Sequence, residues 1–212
     1  MLNRRVFLES GLATCSVPWL ATADGSSGPL DAAAAVATPP LYCVVVDDRF
    51  QCGAGFRAGV ASGAIAVRSI RGDVTELWFD ELAPRWRVQP APIAGLTAAD
   101  ALFCLERLAW DAGLRVAYRG EHRRLADGSL QHRLRGSSSA LAAAPALSSV
   151  HGNWEACIAR LVLACPRYAP SRLASMIVNC RQAAPASALP LYSWLIAARA
   201  PQRSSLPEGE QL

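Results

Sequence analysis

At 212 residues, with 52% apolar and 18% charged side chains, the chain has the composition of one globular domain with a real core. All 21 basic residues are arginine, which excludes chemistry that needs a lysine amine: the phosphate-loop lysine, Schiff bases and pyridoxal catalysis. The formal charge of +4 is concentrated in one stretch, where Arg115, Arg119, Arg123, Arg124, Arg133 and Arg135 face only Glu121 and Asp127.

Residues 1–23 read as an address and not as part of the fold. Arg4-Arg5-Val6-Phe7-Leu8 has the pattern of a twin-arginine export signal: an arginine pair, any residue, then two large apolar ones. A weakly apolar stretch from Gly11 to Ala21 follows, broken by Ser16 and Pro18, and Ala21-Thr22-Ala23 supplies a small-x-small cleavage site after Ala23. Asn3 and Glu9 depart from the usual Ser/Thr and Lys. Two other readings compete: an ordinary amphipathic first helix, and a lipoprotein signal acylated at Cys15, for which Thr14 is a poor preceding residue. No other segment approaches the ~20 apolar residues of a membrane span. The expectation is a soluble periplasmic protein of bacterial origin whose first partner is the twin-arginine translocon. Residues 24–40 form a Gly/Ser/Ala/Pro tether with an alternative cleavage point at Ala37, and 201–212 read as a disordered tail.

The folded part, 41–200, opens with Leu41 to Val46, a continuous β-branched run typical of a strand buried on both faces. A glycine-weakened helix over about 49–62 and a second strand from Ala64 to Ile70 complete a β-α-β unit. Residues 74–90 combine Trp78, Phe79 and Trp86 with acids and prolines and suggest a short strand or helical turn plus loop. Pro92 to Leu96 suggests another strand. Thr97 then stands as cap of a helix over 98–112, with Asp100 in the capping-box position, Gly113 as its stop and apolar residues on nearly every side. After a strand from Leu114, Asp127-Gly128 marks a hairpin joining about 115–125 to 129–135. A Ser/Ala/Pro-rich loop over 136–150 leads to a helix at 153–165 opened by Asn153; 172–180 is ambiguous, and Leu191 to Ala197 is a last strand. The fold class is therefore α/β: a single domain with a mixed, partly parallel sheet.

Gly53-x-Gly55-x-x-x-Gly59 is the sharpest-looking motif, but it fits a dinucleotide site badly. The pyrophosphate needs its first glycine in the strand-to-helix turn, and here six residues follow Val46 before Gly53. For metals, a two-residue Asp127-Gly128 turn places His122 and His132 on opposite faces of the ribbon, where they cannot share an ion; a three-residue loop removes that exclusion. No C-x-x-C, HExxH or G-x-S-x-G occurs, so neither metal nor cofactor is evident. The cysteines left after cleavage at Ala23 (Cys43, Cys52, Cys104, Cys157, Cys165 and Cys180) are expected as core thiols, because twin-arginine substrates fold in a reducing compartment. The arginine-rich stretch reads as the solvated outer face of the hairpin in preference to a phosphate patch, and export argues further against nucleic acid.

The better site argument is topological: ligands of open parallel sheets sit at the carboxyl ends of the strands. Asp47 and Asp48 leave the first strand there, Arg71 and Asp73 leave the second, and Thr97 heads a helix facing them. Asp47, Asp48 and Asp73 are the acid–base candidates, and Arg71 and Thr97 the ligand-binding ones; helix capping and turn closure are the competing roles. Trp78, Arg85, Trp86 and Arg87 suit a partner surface or core filling.

The segments IRGDVTELWFDELAPRWR (70–87) and IAGLTAADALFCLERLAWDAGLRVAYRGEH (93–122) resemble a family of small bacterial twin-arginine-signal proteins without assigned function. The resemblance implies export and carries no activity or catalytic residue with it. Two functions of different class follow. The first is a non-catalytic accessory protein or small subunit, travelling with a cofactor-bearing exported oxidoreductase. The second is a small periplasmic enzyme or ligand-binding protein with its site at the carboxyl ends of the first strands.

Overall fold

The computed structural model describes residues 39–61, 64–150, 152–183 and 190–200. The signal residues Arg4, Arg5, Phe7 and Leu8, the cleavage points Ala23 and Ala37, His151 and the tail 201–212 lie outside them.

Among the described residues eight strands form one open, mixed sheet: β1 (Cys43–Asp47), β2 (Ala66–Ile70), β3 (Ile93–Thr97), β4 (Leu114–Arg124), β5 (Ser129–Gly136), β6 (Tyr168–Ala169), β7 (Ala174–Ala183) and β8 (Leu191–Arg199). Their order is β2-β1-β3-β8-β4-β5-β7, with β6 pairing the end of β8. The first three strands are parallel, and β8, β4, β5 and β7 continue antiparallel. Because β3 and β4 both run opposite to β8, the carboxyl ends of β1, β2, β3 and β4 share one edge with the start of β8. The expected α/β fold with its β-α-β start and hairpin is what the chain forms.

Helices cover both faces. On one side α1 (Cys52–Val60), α5 (Ser138–Leu141), a 3-10 turn (Ala144–Ser149) and α6 (Trp154–Ala164) bury Val44, Val46, Phe56, Tyr118, Leu134, Ile158 and Leu195. On the other, α4 (Ala99–Asp111) and a helix over residues 75–88 bury Val45, Leu77, Leu82, Trp86, Leu105, Trp194 and Ile196. β1 lies between the two cores, as β3 does, with all five residues buried, as its β-branched run requires.

Where a short strand or a helical turn plus loop was expected over 74–90, the chain is helical from Thr75 to Val88. Asp73 Oδ1 accepts the Thr75 N–H at 2.8 Å and starts α2 (Thr75–Leu77), which passes through a π-wound turn, Trp78–Leu82, into α3 (Ala83–Val88). The apolar anchors Leu77, Leu82 and Trp86 are spaced five and then four apart, a mismatch to an α-helix; the wider turn between the first two returns both to the sheet. In α4, Thr97 does not cap: it ends β3, and the N-cap position is Ala98, without a side-chain bond. The outer side of this helix is open, with Phe103, Cys104, Arg107 and Trp110 exposed, so it is not apolar-buried all round. Asn153 caps α6 as expected, accepting from Ala156 N at 3.0 Å. The ambiguous 172–180 is β7, paired along β5.

Candidate functional site

A cleft of about 480 Å³ opens at the carboxyl ends of β1 and β2, lined by Asp48, Arg68, Ser69, Arg71, Asp73, Glu76, Asp80 and Glu81, with Ile70 and Leu77. It is made by the chain leaving β2 through Gly72, whose φ of +87° suits only glycine, and returning as α2. Two ion pairs brace its walls. Arg57 bonds Asp48 and also Ser69 Oγ, at 2.9 Å, and Arg68 Nε lies 2.7 Å from both oxygens of Glu81. The Asp73 carboxyl is held below its ordinary value by its bonds to Thr75. Arg71, Glu76 and Asp80 are exposed and have no ion-pair partner among the described residues. Asp73 is also outside any described ion pair but accepts the Thr75 N–H, so the cleft presents one unpaired guanidinium and two carboxylates not engaged in this way.

The predicted site residues divide. Asp48, Arg71 and Asp73 meet at this cleft. Asp47 is 1% exposed and grips Arg49 (2.7 Å to Nη2), which lies over Gly72 and reaches Asp100 at 3.4 Å; it ties three loops together below the opening. Thr97 is fully buried, donating to Ala98 O at 3.1 Å and accepting from Trp194 Nε1 at 3.1 Å, so it braces β3 against β8 and does not reach the cleft. Of the proposed partner surface, Trp86 belongs to the core with Trp78 packed edge-on against it, centroids 5.9 Å apart. Arg85 stacks over Tyr42, and Arg87 is exposed.

The glycine motif is explained by packing. A Cβ at Gly59 would lie 2.7 Å from both Ala156 O and Ala159 Cβ, and one at Gly55 would lie 2.6 Å from Asn153 Oδ1. These glycines let α1 and α6 approach closely, while Gly53 makes room for Val46. They face protein, not a phosphate.

A second constellation was not foreseen. The hairpin loop has three residues, 126–128, with Leu125 N bonded to Ser129 O, so His122 stands directly opposite His132. The two-residue turn on which the separation of the two histidines was conditional does not form, and with it the exclusion lapses. Both turn inward: His122 Nδ1 is 2.7 Å from His132 Nδ1, His122 Nε2 is 2.8 Å from Ser193 Oγ, and Ser193 Oγ is 3.3 Å from the Tyr118 hydroxyl. All four side chains are buried, and the Trp154 ring at the start of α6 packs against the two imidazoles, with centroids 4.9 Å from His122 and 5.2 Å from His132. Gly120 floors the group, since a Cβ there would come within 2.6 Å of Ser193 Oγ. Burial, and the neighbouring His132, push His122 well below the ordinary imidazole value, and burial takes His132 down to about 4, so both rings are neutral at pH 7. His132 Nε2 and Trp154 Nε1 are buried without a hydrogen-bond partner.

The arginines of the hairpin take the outer face: Arg133 and Arg135 are exposed, Arg123 bonds Gln131, and Arg119 pairs with Glu106. A second cleft at the opposite edge is lined by Arg115, Arg199 and Ser171, where Arg115 is already bonded to the Leu114 and Trp110 carbonyls. All six described cysteines are free; Cys43, Cys52, Cys165 and Cys180 are buried, whereas Cys104 is exposed and not a core thiol. Among the described residues no group of three His, Cys, Asp or Glu is placed to hold a metal, and no helix is long and apolar enough to cross a membrane. No protein-family model matches the chain, and comparison with curated proteins and with solved structures finds no match.

Proposed function

We propose that the chain is a twin-arginine-exported periplasmic protein that binds a small charged ligand in the cleft above β1 and β2. The observation that carries this reading is the cleft itself: it sits where open parallel sheets hold ligands, and its volume is that of a small-molecule site. Its lining selects the ligand class. With Glu76 and Asp80 free and Arg71 the free cation, the favoured ligand carries an ammonium or guanidinium group, with an acidic or hydroxyl group placed for Arg71. The Arg4-Arg5 signal supports export, and six unpaired thiols suit a chain that folds in a reducing compartment before crossing. A thermal-shift panel of polyamines and amino acids tests the ligand. A stabilising member should lose its shift in both Glu76→Gln and Asp80→Asn while the unliganded melting temperature stays constant; no shift from any member, or a shift that survives both changes, rejects the cleft.

A second reading, an accessory subunit of an exported oxidoreductase, is favoured by α4. Phe103, Arg107 and Trp110 share its outer face at helical spacing, 63% of Phe103 is exposed, and the Arg107 guanidinium lies 4.2 Å over the Trp110 ring. Aromatic and arginine anchors of this kind are typical of interface centres. Affinity purification from periplasm should recover a cofactor-bearing partner that Phe103→Ser with Trp110→Ser no longer retains.

A further inference from the structure

The chain Ser193–His122–His132 has the order and distances of a nucleophile, its base and the group that orients the base. One proton lies between the two Nδ1 atoms, because at 2.7 Å one must donate and the other accept. When His122 Nδ1 donates, His122 Nε2 carries the lone pair that faces Ser193 Oγ at 2.8 Å, and His132 fixes that tautomer and ring plane. Burial keeps both imidazoles in the neutral form that such a base requires. The three residues come from three adjacent strands and stand near the edge where β4 ends and β8 begins, which is the ligand-binding edge of the sheet.

The two imidazoles share one aromatic neighbour. Trp154 sits over both imidazoles, and its indole N–H has no acceptor, so packing alone holds it in place. It is the first residue of α6, directly after Asn153 and Gly152, the latter at φ +103°. It belongs to the same apolar core as Leu130, Leu134, Leu191 and Leu195.

We propose that Ser193 is an acyl-accepting nucleophile, with His122 as its base, His132 as a positioning residue and Trp154 as a lid, acting on small apolar carboxylic esters. The Ser193 hydroxyl proton passes to His122 Nε2 as Oγ bonds the ester carbonyl carbon. The C–O bond to the alcohol then breaks, and the alcohol leaves with the proton held by His122. Water, deprotonated by the same nitrogen, attacks the acyl-serine and releases the carboxylic acid, returning the proton to Ser193. This site is separate from the charged cleft and does not depend on ligand binding there.

The full-length protein is treated with a small alkyl fluorophosphonate, and the site of modification is read by peptide mass spectrometry. Wild type should gain one adduct on the Ser193 peptide, and Ser193→Ala none. Trp154→Phe, which keeps the apolar contact with a smaller ring, should be labelled at least tenfold faster. His132→Asn, whose carbonyl oxygen stands in for the accepting Nδ1, should keep most of the kcat for p-nitrophenyl acetate. His132→Leu should lower kcat at least tenfold at unchanged KM and move the ¹⁵N shifts of His122 out of the Nδ1–H tautomer. If wild type and Trp154→Phe are both folded by circular dichroism and neither is labelled at Ser193, the idea is overturned and the group is a polar brace within the core. Labelling at Ser193 that persists unchanged in His122→Asn overturns the assignment of the base.

Discussion

Acid should weaken this fold well before its carboxylates titrate. His132 is fully buried with a folded value of about 4 against an ordinary 6.5, and His122 is depressed in the same direction. A base whose folded value lies below its unfolded one binds its proton more readily when unfolded. Its contribution is complete above pH ~6.5 and falls as the pH drops toward the folded value. For His132, moving from pH 7 to pH 5 raises the unfolded state's proton-binding advantage by about 2 kcal/mol, and His122 adds to the same loss. The carboxylates with lowered values, Asp73, Asp100 and Asp127, act in the same sense only near and below pH ~4, so the window from pH 5 to 6.5 belongs to the histidine pair. Urea denaturation at half-unit steps across that window measures the slope directly. His132→Asn should remove about 2 kcal/mol of the pH 7 to pH 5 difference even if the variant is less stable overall, because the slope and not the level reports the proton. A wild-type stability that is flat within about 0.5 kcal/mol from pH 7 to pH 5 would refute the buried neutral pair.

Two further outcomes follow from the packing. Gly59→Ala gains about 1 kcal/mol of helix propensity but drives a methyl into backbone atoms of α6, an overpacking cost of about 1–3 kcal/mol, so net destabilisation is expected. A raised melting temperature in that variant would show that α1 and α6 are not in close contact. In a chain beginning at Asp24, which lacks Cys15, Cys104 should react with a thiol reagent at pH 8 within seconds and Cys157 more slowly. Cys43, Cys52 and Cys165, each pushed up to about 12 chiefly by burial, and the buried Cys180 should react only on unfolding; a native count of four or more fast thiols would contradict the core.

The parts of the fold that were legible are those in which one residue type repeats on one face. Leu41 to Val46 reads as a two-face-buried strand because no charged residue interrupts its β-branched run until Asp47, and the strand forms over Cys43–Asp47; Asn153 reads as a cap because its side chain has one obvious donor in reach. The helix over 75–88 was legible only as one alternative, a helical turn, since its anchors are spaced for a π-wound turn and no α or β period fits them. Three of the ten residues lining the cleft were anticipated. Asp48, Arg71 and Asp73 lie where the strand ends place them, while Glu76, Asp80 and Glu81 come from that same helix. Asp47 and Thr97 were misjudged for a common reason. A polar residue at the last position of a buried strand still points into the core every second residue, and there it must find an internal partner: Arg49 for one, Trp194 for the other.

The buried histidine pair shows which of two sequence arguments carries more weight. A turn argument from Asp127-Gly128 fixed the register by assuming two loop residues, and a change of one residue moves every cross-strand partner. A face argument needs no register. In β5, His132 lies between Leu130 and Leu134 at alternate positions, with Gln131, Arg133 and Arg135 on the other side; in β4, His122 alternates with Arg119, Glu121 and Arg123 and shares its face with Tyr118 and Gly120. Each strand by itself therefore turns its histidine inward, whatever the loop length, because six charged or amide side chains cannot be buried in its place. Two inward histidines on adjacent strands must then meet or find other partners. Where the burial pattern of both strands agrees, it decides the facing of a side chain over any inference from the turn that joins them.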